Sequence, residues 1–382
     1  MTSHLTRRQL VQTASAAALL RVPIAAAETP PMRNEASDTP KICLELSAGR
    51  LAGAIPAISS TGQLSAITID DDALRRLKQL GVNYVLGGGP RIPWQEADLR
   101  ARMDRLKASG LTLVNLMIAG FPNTLYGRPG RDEEIDKVRE SIRAAGRVGL
   151  PIVEYNFYAH RIIEGYYEET GRAGSGLTAF DYDKVKALPP LPAEGAHTLD
   201  EMWSNITYFL KAVVPVAEKS GVRLALHPND PPAPLSRGSG QIMASLAGWK
   251  KLIDIVPSPA NGITLDCGVT KEMGENPVEV CRYFGSRDRI NHVHFRNVRV
   301  QKPYEKYAEV WLDEGEVNMI AVMKELVRVR YPRWVYPEHP RALDADRERP
   351  DFKSYYPGGG GYAAYAYNVG YARAMLQAAL SS

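Results

Sequence analysis

Eight short apolar runs, at residues 42–46, 82–86, 113–118, 152–157, 222–227, 262–266, 291–295 and 334–336, alternate with longer amphipathic stretches. Runs of that length have the size of strands. The stretches between them, such as 72–80, 96–109, 133–148, 199–220 and 240–255, carry helical periodicity. Parallel neighbours need a crossover of helical length, so this alternation predicts a parallel sheet. Eight such units point to an α/β architecture closed into a (β/α)8 TIM barrel. A single catalytic domain over 41–382 accommodates them, since such barrels exceed the usual domain size.

The first 27 residues stand apart. Arg7-Arg8, a weakly apolar run at 14–20 and Ala25-Ala26-Ala27 read as a twin-arginine export signal, with 28–40 as a lead-in. The expected location is periplasmic or secreted, reached through the Tat export machinery. Mass spectrometry of exported protein should then find a new terminus near Glu28; a full-length cytosolic chain would refute the reading. The apolar run is too short to span a bilayer, so no stable membrane insertion is expected. Lys and Arg total 47 against 43 Asp and Glu, and three of those arginines fall in the leader. The remainder is nearly balanced, which offers nothing to a nucleic acid. Oligomeric state is left open. Three cysteines, Cys43, Cys267 and Cys281, make no disulfide framework.

Of seven histidines, four fall at or just after the last four strand candidates: His227, His292, His294 and His339. Cys267 ends the sixth strand candidate, and Glu338 follows the eighth. Strand carboxy ends converge on one mouth in a barrel, so these distant residues can meet. Imidazole, thiolate and carboxylate all bind divalent metals, which makes His227, Cys267, His294 and Glu338 the expected shell. Cys267 can instead be a small buried side chain with Asp266 as ligand, and His292, deeper in its strand, is expected to be structural. His339 suits proton transfer. Arg128 and Arg296 could each fork onto a substrate carboxylate. Residues 158–198 and 340–361 are long enough to be lids over the mouth.

Gly127-Arg128-Pro129-Gly130-Arg131-Asp132, Tyr155-Asn156-Phe157, His227-Pro228-Asn229-Asp230-Pro231-Pro232, His294-Phe295-Arg296-Asn297, Pro337-Glu338-His339 and Gly361-Tyr362 follow one another in this order. In this the chain resembles the mannonate dehydratases, xylose-isomerase-like barrels, over about residues 100–380. The resemblance implies a divalent metal, usually Mn2+, on His227, Cys267, His294 and Glu338. Thiolate would also suit Fe2+, Co2+ or Zn2+. It further implies proton transfer by His339 and Tyr362, in roles not assigned between them, and a substrate contact at Asn156. Glu338 stands where the family has aspartate. The expected activity is dehydration of a sugar acid, D-mannonate to 2-keto-3-deoxy-D-gluconate. A sugar isomerase or epimerase on the same barrel is the alternative, and an exported, non-catalytic sugar-binding protein is an alternative of another class.

Overall fold

The computed structural model describes residues 36–53 and 70–381, so the expected leader lies outside the described residues. Their strands in chain order are β1 (Lys41–Glu45), β2 (Tyr84–Gly88), β3 (Thr112–Ile118), β4 (Ile152–Tyr155), β5 (Tyr166–Thr170), β6 (Gly176–Asp181), β7 (Arg223–Leu226), β8 (Leu235–Ser236), β9 (Ser239–Gly240), β10 (Asn261–Asp266), β11 (Ile290–His294), β12 (Asn297–Lys302), β13 (Lys306–Val310) and β14 (Trp334–Tyr336). Eight of them close a parallel barrel in the order β1-β14-β11-β10-β7-β4-β3-β2. These are the eight runs read from the sequence.

Side chains alternate across a strand, and here the alternation sorts polar from apolar. Val153 and Tyr155 join the apolar layer under the helices, where the Tyr155 ring lies 5.6 Å from Phe209 of helix Leu199–Ser220. Glu154, between them, turns to the opposite face and meets Asn115 of β3 and Thr264 of β10. His292 and His294 likewise flank the core residue Val293. The barrel therefore holds buried polar groups inside and apolar packing outside. Helix Leu199–Ser220 shows how firmly the shell is specified: Thr198 and Glu201 form a reciprocal capping box, and Gly221 ends the helix at φ 67°.

The stretch 158–198 is more than a loop. Its strands β5 and β6 join a second sheet, ordered β12-β13-β6-β5, with a hairpin that follows β11. Sequences such as Tyr166-Tyr167-Glu168-Glu169-Thr170 lack an apolar run because half their residues face out. Pairing of β6 with β13 also joins segments far apart in the chain, which local patterning does not register.

Candidate active site

The carboxy ends of β7, β10, β11 and β14 bring four side chains together. His294 Nδ1 lies 3.1 Å from His227 Nε2, 3.1 Å from Glu338 Oε2 and 3.9 Å from Asp266 Oδ2. Donors about 2.1 Å from one divalent ion sit about 3.0–3.4 Å apart across right or tetrahedral angles, so this spacing is close to a coordination shell. The tautomer also fits. His227 Nδ1 donates to the Pro228 carbonyl at 2.8 Å, which leaves the Nε2 lone pair facing the other three. Burial, with His294 nearby, pushes His227 down to about 3, so it is neutral at physiological pH. Burial also disfavours charge on His294, but Glu338 and Glu154 outweigh it and carry His294 up to about 9. Proton and metal thus compete for this cluster. The residues present suit a divalent cation.

A cavity of about 660 Å³ opens beside the cluster, and His227, His294 and Glu338 line it. So does His339, whose Nδ1 is 2.9 Å from Glu309 Oε2 and whose Nε2 is 3.5 Å from Glu338 Oε2. Its backbone sits at φ 43°, a region non-glycine residues seldom adopt. Arg341 holds it there, donating to the His339 carbonyl at 2.9 and 2.7 Å. Burial works against charge on His339, yet Glu309 and Glu338 raise it above the ordinary histidine value. Tyr365 lines the same wall, with its hydroxyl 3.1 Å from that of Tyr336. Burial lifts Tyr365 far above the usual phenol range, so it stays protonated. Glu45, at the end of β1, completes this wall; burial pushes its carboxyl up to about 7.

Residues 195–379 match the family model described as D-mannonate dehydratase (UxuA). The mannonate dehydratase of Thermotoga petrophila is 28% identical over 327 residues, spanning 75% of this chain and 90% of the relative. The crystal structure of mannonate dehydratase from Streptococcus suis serotype 2 superimposes with a TM-score of 0.73 at 25% identity, covering 81% of this chain and 91% of that one. The chain is similar to the mannonate dehydratases. A xylose isomerase-like TIM barrel protein from Mycobacterium smegmatis, solved in complex with magnesium, shares the fold at a TM-score of 0.55 and 15% identity, over 90% of this chain and 98% of that one.

Within this mannonate dehydratase-like frame the expected residues fall into three groups. His227, His294, Glu338 and His339 meet as anticipated. Arg128 and Asn156 line the cavity, Arg128 donating to the Glu194 carbonyl at 2.7 Å and lying 4.3 Å over the Tyr126 ring. Three others do not meet there. Cys267 opens the short helix Cys267–Glu272 and packs in the apolar core, while its neighbour Asp266 joins the ligand atoms clustered within 4.8 Å. Arg296 is buried among Asp230, Asp266, Glu272, Glu309 and Glu338, within 3.7 Å of each, and has no reach into the cavity. Tyr362 starts helix Tyr362–Leu380 on its outer side and donates to the Arg76 carbonyl at 3.1 Å. The glycines before it serve a close approach instead: a Cβ on Gly360 would lie 2.5 Å from the Arg341 carbonyl oxygen. Tyr365, one turn on, takes the place foreseen for Tyr362. Cys267→Ala should accordingly keep near wild-type metal content on dialysis, measured by elemental analysis. Loss of the ion would restore the thiolate as a ligand.

Proposed function

We propose that this protein is a metal-dependent carbon–oxygen lyase that removes water from a sugar acid, with D-mannonate giving 2-keto-3-deoxy-D-gluconate as the foremost reaction. One observation carries the reading: a two-histidine, two-carboxylate cluster adjoins a cavity also lined by His339, whose Nδ1 lies 2.9 Å from Glu309 Oε2. His227, Asp266, His294 and Glu338 would hold the ion, Mn2+ first among candidates. When bound it supplies Lewis acidity toward the substrate carboxylate and C2 hydroxyl. His339, whose proton affinity Glu309 and Glu338 raise, is placed to give its proton to the departing C3 hydroxyl. Glu45, near neutrality in its range, is suited to take the C2 proton, since a base works best close to the operating pH. Tyr365 remains a neutral donor toward the oxygen where charge develops. Arg128 and Asn156 also line the cavity and are available to the rest of the sugar chain.

Metal-loaded protein incubated with a panel of aldonic acids should release a 2-keto-3-deoxy acid from D-mannonate. A product that has lost no water would mark an isomerase or epimerase. Binding without turnover would mark a sugar-binding protein.

The proton on His339 sets a pH dependence. Its raised value keeps the donor form present below that value and loses it as pH rises through it. Glu309 is the largest influence raising it, so Glu309→Gln should move the alkaline limb of the kcat–pH profile to lower pH. A limb that stays in place removes His339 as the donor.

A further inference from the structure

His294 faces two clusters at once. Its Nδ1 points to His227, Asp266 and Glu338, while its Nε2 lies 3.5 Å from Glu154 Oε1, on the side where His292 also sits. A histidine bound to metal through one nitrogen carries its proton on the other, so the partner of Nε2 decides which nitrogen is the ligand. Glu154 is buried on β4, separated from β11 in the barrel by β10 and β7. Its position is fixed from both sides: Asn115 Nδ2 donates to Oε2 at 2.7 Å, and Thr264 Oγ1 donates to Oε1 at 2.7 Å. Both oxygens are thus engaged by neutral donors. Of the two histidines grouped with Glu154, His294 brings Nε2 to 3.5 Å from Oε1, and that nitrogen has no other hydrogen-bond partner.

Resting on the metal reading above, we infer that Glu154 is a positioning residue: it accepts the Nε2 proton of His294 and so presents Nδ1 to the divalent ion. The opposite arrangement, with the ion among Glu154, His292 and His294 Nε2, is disfavoured by placement: His292 does not line the cavity, whereas His227, His294 and Glu338 all do. Thr264 and Asn115 also hold Glu154 in the orientation of an acceptor.

The test is metal affinity, read without turnover. Glu154→Gln keeps the shape of the side chain but removes its charge. Titration of the metal-free protein with Mn2+ should show affinity weakened about 10–100-fold, the scale typical of lost outer-shell partners. Asn115→Ala, which removes only the support of the far oxygen, should weaken it much less. If Glu154→Gln fails to fold, nitrogen NMR of the wild type loaded with Zn2+ decides instead: His294 should carry its proton on Nε2. Equal affinities for Glu154→Gln and wild type, or a proton on Nδ1, would overturn the inference while leaving the metal reading intact. A wild type that binds no divalent ion would overturn both, and a metal-binding protein without dehydratase activity would remove only the proposed reaction.

Discussion

His294→Ala should yield a protein with no bound divalent ion and no measurable turnover. The substitution removes the one group whose nitrogen lies within 3.1 Å of both His227 and Glu338. It also removes the positive partner of two buried carboxylates, since Glu154 and Glu338 are the main groups raising its proton affinity. Breaking a buried pair typically costs about 3–5 kcal/mol because the remaining charge is left uncompensated. The metal-free variant should therefore melt lower than metal-free wild type. His227→Ala provides the contrast. His227 is neutral when buried, so its loss should also abolish tight metal binding but lower the melting temperature less. Elemental analysis after dialysis and thermal scans in chelator check both arms. Stoichiometric metal in the His294→Ala protein would refute the centre as described.

Tyr365→Phe should lower turnover about 10²-fold, the scale of losing one preorganised donor at a site of developing charge. Metal content should stay at the wild-type level, because the hydroxyl is paired with Tyr336 and takes no part in the ligand cluster. Tyr362→Phe should change turnover little, since its hydroxyl reaches only the Arg76 carbonyl on the outer side of the barrel. Any cost there falls on stability, near the 1 kcal/mol of an ordinary hydrogen bond. Steady-state kinetics on the two variants decide the matter. A large loss in Tyr362→Phe with none in Tyr365→Phe would reverse the assignment.

Much of this was legible in the sequence because a barrel enforces it. Buried strands must be short apolar runs, and their carboxy ends must converge, so His227, His294 and Glu338 could be brought together from spacing alone. Choices between near neighbours were less legible. Asp266 and Cys267 are adjacent, and only the turn from strand into helix decides which one faces His294. Tyr362 and Tyr365 lie on one helix, and the direction from which that helix meets the barrel selects between them. Arg296 follows a candidate ligand, and its sequence context suits a substrate fork and a structural ion pair equally; the five carboxylates surrounding it come from distant segments. Glu45, Glu154 and Glu309 carried no motif. Their importance arises from burial, which the sequence around a single glutamate does not announce.

The second sheet also limits how this enzyme could be redesigned. β6 belongs to the segment after β4, and β13 to the hairpin after β11, yet they are hydrogen-bonded neighbours. The same strand β13 carries Glu309, whose carboxylate lies 2.9 Å from His339 Nδ1. Grafting a loop from a relative onto the end of β4 alone would strip β13 of β6, one of its two neighbouring strands, and disturb the carboxylate beside His339. A productive graft would have to move both segments as one piece, so the loop after β4 and the surroundings of His339 cannot be exchanged independently.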